Sequence, residues 1–170
     1  MILDLKFAVE RKLGDPLIRI VIDDYLVLYE GPAQENFHFD FHIDNGSHVL
    51  KIIHYGKECQ DHIIEDNIII VDKHIEIKEI KMDDVELTSE LWEGKFYPVY
   101  MHRDENEPVF ITPNLYLGHN GTWTLDFASP ATKWLIEKRN NGPKIEETIF
   151  KTNKEILEKS KNFFKDLPDV

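Results

Sequence analysis

Residues 37–50 read FHFDFHIDNGSHVL, and this stretch carries the strongest fold signal in the sequence. In its first half apolar and polar residues alternate, which is the period of a strand with one buried face. Asn45-Gly46 then supplies the positive φ angles that a type I′ turn requires. The stretch therefore predicts a β-hairpin whose register pairs Phe41 with Leu50 across the turn.

Two aspartate pairs mark further hairpins on either side of this stretch. Asp23-Asp24 lies between the β-branched and aromatic runs 17–22 and 25–29, and Asp83-Asp84 follows the run 74–82. Aspartate tolerates the left-handed backbone of a tight turn. Each pair therefore predicts a turn between two antiparallel strands.

The alternation in the last of these runs slips by one residue. Ile75 and Ile77 keep one phase, whereas Ile80 and Met82 keep the other. One extra residue in a strand produces such a slip. The pattern predicts a β-bulge near Lys78-Glu79.

Antiparallel hairpins at short spacing, without helices between them, indicate a mainly β fold. We expect a two-sheet antiparallel β-sandwich of the jelly-roll type over residues 1–128, followed by C-terminal α-helices. The sandwich region includes an irregular aromatic connection at 94–121, where prolines interrupt the pattern. Trp123, Leu125 and Phe127 alternate in the last predicted strand.

In the C-terminal segment, residues 129–170, apolar residues recur at the spacing of an α-helix. Ser129-Pro130 combines a serine cap with a proline suited to the first helical position, which predicts a short helix over 130–139. A long amphipathic helix is predicted over 144–167. Its apolar stripe must be covered, so we expect it to mediate attachment or homo-oligomerisation. The stripe consists of Ile145, Ile149, Ile156, Phe163 and Leu167.

The net charge of −12 would repel the phosphate backbone of nucleic acid, which argues against a nucleic-acid-binding protein. The single cysteine, Cys59, cannot form an internal disulfide. Charges interrupt the first residues, MILDLKFAVERK, and no apolar run approaches the length of a membrane helix. We expect a protein made in a cytoplasm, with no signal peptide, no membrane insertion and no nucleic-acid partner.

Recognisable catalytic motifs are missing from the sequence. No Gly-x-Ser-x-Gly motif or glycine-rich phosphate loop occurs. Acidic neighbours disfavour a thiolate at Cys59, and Glu90 and Glu93 fit a solvated helical turn better than a glycosidase pair. His38 and His42 are too far apart on one strand to hold a transition metal together. We expect a protein that is not an enzyme.

An oxygen-rich cluster lies in and beside the loop that precedes residue 68. Carboxylate oxygens are the ligands that calcium prefers, so the cluster is a candidate calcium site. Its spacing fits no EF-hand, and a solvated acidic loop is the alternative interpretation. The candidate ligands are Asp61, Glu65, Asp66 and Asp72.

The stretch 17–87 contains IRIVIDDYLVLYEG, then HVLKIIHYGK, then IIIVDKHIEIKEIKMDDVEL. This strand and turn pattern resembles calcium-dependent xylan-binding modules. The resemblance implies a β-sandwich that uses calcium and stacks aromatic side chains on sugar rings. The aromatic candidates are Trp92, Tyr97, Tyr100 and Tyr116.

The segment 115–123, LYLGHNGTW, together with the preceding region, resembles uncharacterised small β-sandwich proteins of tailed bacteriophages of aquatic bacteria. This resemblance implies a place in the virion. We therefore expect a non-enzymatic virion structural or adhesion protein that displays a β-sandwich and assembles through its C-terminal helix with itself or other virion proteins. The alternative is a calcium-dependent carbohydrate-binding module, with a host-surface glycan as candidate ligand.

Overall fold

The computed structural model describes residues 1–66, 68–100 and 108–141 of the chain. These residues form a predominantly β structure of antiparallel sheets, with one short α-helix, α1 (Ala131–Asn141), near the end of the described part. The prediction of a mainly β fold is confirmed. No helix in the described ranges is both long enough and apolar enough to cross a membrane.

Twelve strands lie in the described residues. Ten of them form two five-stranded antiparallel sheets, and the other two form a separate hairpin. In chain order the strands are β1 (Ile2–Val9), β2 (Leu17–Ile22), β3 (Leu26–Pro32), β4 (Asn36–Asp40), β5 (Gly46–Tyr55), β6 (His62–Glu65), β7 (Ile68–Asp72), β8 (Ile75–Met82), β9 (Val85–Glu86), β10 (Lys95–Pro98), β11 (Tyr116–Leu117) and β12 (Gly121–Ser129).

The first sheet has the order β11–β8–β1–β4, and β9 also pairs with β8. Alternate side chains of β1 and β8, including Leu3, Leu5 and Ile77, are buried, so one face of this sheet is apolar. The Phe37 ring on β4 meets the Tyr29 ring on β3 of the second sheet, with their centroids 4.7 Å apart. The two sheets therefore contact each other through aromatic side chains.

The predicted irregularity in β8 is present where β8 pairs with β1. Lys6 lies opposite Glu79 and Phe7 lies opposite Ile77. This register leaves Lys78 as the extra residue on β8. The β-bulge predicted near Lys78-Glu79 is confirmed.

The second sheet has the order β10–β12–β5–β2–β3. Its central strand, β5, buries Leu50 and Ile52, which lie opposite residues of β2 and β12 that include Ile20 and Trp123. The backbone of Gly94 approaches the Trp123 ring so closely that a Cβ at that position would overlap the ring. This part of the core has no room for one more methyl group.

Both aspartate turns form as predicted. Asp23 and Asp24 have φ angles of 52° and 68° and connect the paired strands β2 and β3. Asp83 and Asp84 have φ angles of 48° and 64° and connect β8 to β9. These angles belong to the left-handed region that a type I′ turn uses.

The hairpin predicted across Asn45-Gly46 is wrong. β4 pairs with β1 of the first sheet, whereas β5 pairs with β2 and β12 of the second. The backbone of Phe41 still bonds to Met1, since its amide donates to the Met1 carbonyl at 3.1 Å and its carbonyl accepts from the terminal ammonium at 2.8 Å. The chain therefore crosses between sheets after Phe41, because strand partners far away in sequence override a favourable local turn.

The connection predicted as irregular at 94–121 contains two short strands, β10 and β11. Phe96 on β10 also exchanges two backbone hydrogen bonds with Ile111, at 3.0 and 2.8 Å. β6 likewise lies in the segment before residue 68 that was expected to be a loop. Short strands of this kind carry too few alternating residues to be recognised from their sequence.

The chain divides into two compact units, Met1–Trp134 and Leu135–Val170. α1 corresponds to the short helix predicted over 130–139. The long helix predicted over 144–167 lies outside the described residues, as do its proposed assembly residues Ile145, Ile149, Ile156, Phe163 and Leu167.

Candidate functional site

A cleft of about 360 Å³ lies beside the β6–β7 hairpin. The hairpin contributes His62 and Ile69, and the end of β10 leads to Val99 and Tyr100 on its wall. Volumes of this size hold small ligands rather than single waters. The complete lining comprises Lys57, Glu58, Cys59, His62, Ile69, Asp72, Val99, Tyr100, Tyr116, Gly118, His119 and Asn120.

An ion pair forms a largely buried polar feature of the cleft. The Nζ of Lys57 donates to Oδ1 of Asp72 and to the Gly118 carbonyl. The side chains of Lys57 and Asp72 are only 12% and 11% exposed. A pair so shielded from water is held firmly, because removing either partner would leave an uncompensated charge.

Tyr116 completes this network. Its hydroxyl donates to Oδ2 of Asp72 at 2.6 Å. Burial raises the pKa of Tyr116 well above its ordinary value, and the hydrogen bond and negative charge of Asp72 raise it further. The cleft thus presents a neutral phenol beside a neutralised ion pair.

Asn120 fixes the backbone that carries Lys57. Its Oδ1 accepts from the Lys57 amide at 2.9 Å, and its Nδ2 donates to the Lys57 carbonyl at 2.8 Å. The amide side chain therefore satisfies both the N–H and the C=O of Lys57, as the backbone of a neighbouring strand would. This double contact holds the cleft residues in place before any ligand arrives.

His54 on β5 supports the cleft from the core. It is 1% exposed, and its Nδ1 lies 3.0 Å from the His119 carbonyl oxygen. Burial lowers the pKa of His54 to about 4, although the hydrogen bond to His119 opposes this change. The ring is therefore neutral near pH 7, with Nδ1–H donating to the carbonyl.

A second ion pair closes the base of the hairpin. Oδ2 of Asp61 accepts from Nζ of Lys73 at 3.0 Å and from the Glu58 amide at 2.9 Å. Burial opposes the negative charge, but the Glu58 and Lys73 hydrogen bonds outweigh it and lower the pKa of Asp61. Lysines therefore occupy the positions beside both aspartates at the hairpin base.

The four predicted calcium ligands are divided between the two ends of the hairpin. His62 lies opposite Asp72, which places Asp61 and Asp72 at its base. Glu65 lies opposite Ile68 at its tip, where Asp66 begins the turn. In the described ranges no group of three or more His, Cys, Asp or Glu side chains could hold a metal ion. Calcium binding stays a prediction.

Two of the four predicted aromatic residues line the cleft. Tyr100 and Tyr116 line it, and the Tyr100 ring lies 5.5 Å from the His119 ring between centroids. Trp92 is 57% exposed on a 3₁₀ turn and does not line this cleft. Tyr97 also lies outside it, with its ring 5.7 Å from that of Phe110. Sequence reasoning did not identify Lys57 or His54 as part of the site.

The hairpin beside the cleft exposes an unusual amount of apolar surface. Five of its isoleucines are between 41% and 65% exposed. Neighbouring residues of a strand point to opposite faces, so both faces of the hairpin are apolar. In the sequence, this surface corresponds to two runs of consecutive isoleucines within very short strands. We call β6–β7 the isoleucine hairpin, with Ile63, Ile64, Ile68, Ile69 and Ile70 as its exposed residues.

Comparisons with protein-family models, with curated proteins and with solved structures find no match to this chain. Two surfaces of the first unit are candidates for function. One is the preorganised polar and aromatic cleft, and the other is the isoleucine hairpin. The two surfaces share Ile69, which lines the cleft from β7.

Proposed function

We propose that the protein is a non-enzymatic bacteriophage virion protein, structural or adhesive, that attaches to its assembly through the isoleucine hairpin. In this proposal the two five-stranded sheets form a jelly-roll-like sandwich that carries the hairpin at one edge. The observation that carries the proposal is the exposure of five isoleucines on one two-stranded element.

The isoleucine hairpin lacks the strand number that a stable sheet needs. A two-stranded hairpin is at best marginally stable in water when nothing covers it. Burial of apolar surface contributes roughly 25 cal/mol per Å², so covering these side chains would stabilise both the hairpin and the complex. Clustered exposed apolar residues commonly mark protein interfaces. Attachment is therefore the role that best fits this surface.

The chemistry of the cleft supports a role in binding. Lys57 and Tyr116 both donate hydrogen bonds to Asp72, so the Tyr116 hydroxyl proton is already directed at a carboxylate. Side chains that are already hydrogen-bonded to each other or to Asp72 can orient a ligand through their remaining donors and acceptors. Such an arrangement suits adhesion better than proton transfer, which needs a group poised to exchange its proton.

Quantitative mass spectrometry of purified virions of the phage that encodes the chain would test this proposal. We expect the wild-type chain in the particles at a fixed ratio to the capsid protein. A chain carrying both Ile64→Lys and Ile70→Lys should be present in the infected-cell lysate but depleted from particles. Val27→Lys is the matched control, since Val27 is 41% exposed on β3. Wild-type chain that remains in the lysate and is missing from virions would contradict the proposal.

A second candidate function is sugar binding in the cleft, which is favoured by the presence of Tyr100 and Tyr116 in its lining. Aromatic rings supply flat apolar surfaces, and the fixed amide and carboxylate groups supply hydrogen bonds. A host-surface glycan bound at this position would make the protein an adhesin. Whether calcium assists is a separate prediction.

Calorimetry against a panel of neutral oligosaccharides, including xylan fragments, would test this second candidate. We expect binding that Tyr100→Ala weakens by about fivefold, since loss of one stacking contact costs on the order of 1 kcal/mol. Tyr25→Ala is the control, because Tyr25 is 73% exposed and lies outside the cleft. Titrations with and without a chelator measure the calcium contribution. A complete lack of heat across the panel would remove this candidate.

A further inference from the structure

We infer that the partner covering the isoleucine hairpin is a second copy of this chain, joined antiparallel along β6 about a two-fold axis at Ile64. This inference rests on the proposed attachment role of the hairpin and identifies its occupant. The resulting element would be one continuous four-stranded sheet with the order β7–β6–β6–β7. A sheet of that size has the strand number that independent stability requires, which the two-stranded hairpin lacks.

One edge of β6 is unpaired in the described part of the chain. Among the described residues, β7 is the sole strand paired with β6. The other edge of β6 therefore offers backbone N–H and C=O groups that can pair with a strand of another molecule. Ile63 and Ile64 on this edge strand are 41% and 53% exposed. Edge pairing would extend the ladder and cover both side chains together.

The edge of β7 is less suitable for the same purpose. Ile63 lies opposite Val71 and Ile64 lies opposite Ile69, so Ile70 is an extra residue on β7. A bulge bends and twists a strand, and it interrupts the regular spacing of its hydrogen-bonding groups. β6 carries no such insertion and is the edge that can continue a regular ladder.

Symmetry restricts the possible registers along β6. Opposite residues of an antiparallel pair lie on the same face of the sheet. A two-fold axis perpendicular to that sheet therefore passes between the two copies of a single residue. For a strand spanning His62–Glu65, the central choices are Ile63 and Ile64.

Charge selects between these two registers. An axis at Ile63 would set Asp61 of each copy opposite Glu65 of the other, and like charges directly opposite are destabilising. An axis at Ile64 sets His62 opposite Asp66 and Ile63 opposite Glu65. This second register pairs an imidazole with a carboxylate twice and brings the two Ile64 side chains together. The sequence of the hairpin edge thus fits a second copy of itself in one register.

The expected affinity is modest. A four-residue edge strand buries less than a standard protein interface, which places the dissociation constant at roughly micromolar values. Sedimentation velocity of the purified full chain from about 1 to 500 μM would detect a dimer of this strength. We expect a concentration-dependent monomer–dimer equilibrium.

Substitution at the axis tests the location of the contact. Ile64→Lys should raise the dissociation constant by at least about tenfold, since it brings two ammonium groups together at the centre of the interface. Ile64→Thr keeps a β-branched side chain and should weaken the dimer in the same direction. Val27→Lys, on the edge strand of a different sheet, should leave the equilibrium unchanged. Thermal unfolding of each variant would verify that it folds.

Cross-linking tests the register. In a Cys59→Ser background, a short bis-maleimide should join two chains through Ile64→Cys, because the two positions face each other across the axis. Ile68→Cys lies on the far strand of each hairpin and should give little cross-linked product.

A chain that stays monomeric throughout the concentration range would overturn the inference, as would a dimer that survives Ile64→Lys or cross-links better through Ile68→Cys. The outcomes remain distinguishable from those of the proposed function. Loss of the double-lysine chain from virions together with a monomeric wild type would leave attachment intact and assign the hairpin to a different protein.

Discussion

Isoleucine dominates two regions of this protein, and the two regions differ in what covers them. In the second sheet, Ile18, Ile20 and Ile22 of β2 are 0% exposed. In the isoleucine hairpin the same residue type, also in strands, is 41% to 65% exposed. β2 has strands on both sides, β3 and β5, whereas β6 and β7 have only each other in the described part of the chain. The face of the sheet on which an isoleucine lies and the layer that packs against that face, rather than residue type, decide which isoleucines form the core.

The contrast between the two regions would be wrong if truncating an isoleucine lowered the free energy of unfolding equally in both. Ile20→Ala should lower the free energy of unfolding by about 2–5 kcal/mol, because it leaves a cavity in a fully packed core. Ile68→Ala, at 65% exposure, should lower it by less than about 0.5 kcal/mol. Urea unfolding followed by tryptophan fluorescence measures both values. Equal losses would mean that the hairpin is covered within a single chain.

The buried His54 should make the stability of the core depend on pH under acidic conditions. The pKa of this buried ring is about 4 in the folded chain against 6.5 for an ordinary histidine, so the unfolded chain binds its proton first. The folded state should therefore lose stability as the pH falls from 6.5 to about 4, by roughly 3 kcal/mol in total. His54→Asn keeps a donor for the His119 carbonyl and does not titrate. Its unfolding free energy should depend less steeply on pH in this window, and parallel curves would contradict the prediction.

Tight packing in the core should also resist added volume. Gly94→Ala would force its new methyl group into the Trp123 ring, which should cost about 1–3 kcal/mol of unfolding free energy. Val27→Ile adds one carbon at an exposed position and should change stability by less than about 0.5 kcal/mol. Thermal and urea unfolding of the two variants would measure this contrast. A neutral Gly94→Ala would show that the Trp123 ring can move aside.

Local signals predicted much of the fold. The turns at Asp23-Asp24 and Asp83-Asp84 and the bulge at Lys78 were predictable because each depends on a few neighbouring residues. Asn45-Gly46 failed because it also depends on which strand lies beside β4, and that strand begins at Ile2. Strand partnership is a long-range property that a turn motif cannot determine.

The same limit applies to the candidate site. The resemblance to xylan-binding modules proposed four aromatic residues, of which Tyr100 and Tyr116 line the cleft and Trp92 and Tyr97 do not, so residue type alone did not separate the two pairs. Lys57 belongs to the site because Asp72 and the Gly118 carbonyl converge on it from 15 and 61 residues away. Contacts between residues so far apart in the sequence cannot be predicted from motif spacing.

The smallest expected effect concerns His48, at the other end of β5 from His54. Its Nδ1 lies 2.6 Å from Oδ2 of Asp23 and its Nε2 lies 2.9 Å from the Asp44 carbonyl oxygen, so both ring nitrogens face acceptors. Burial opposes the positive charge, but these hydrogen bonds outweigh it and raise the pKa of His48 above 6.5. The stabilisation is therefore complete below pH 6.5 and is lost as the pH rises through the folded-state pKa.

Asp23→Asn isolates this contribution from the turn that contains it. Asparagine tolerates the φ of 52° at this position, and its Oδ1 can still accept from the Val49 amide as Asp23 does at 2.8 Å. It removes the carboxylate that favours protonated His48. The wild-type unfolding free energy should fall as the pH rises above 6.5, and the variant should show a shallower fall. A variant that keeps the full wild-type slope would assign the pH dependence to another group, and the two ends of β5 would no longer differ in the charge of their histidines.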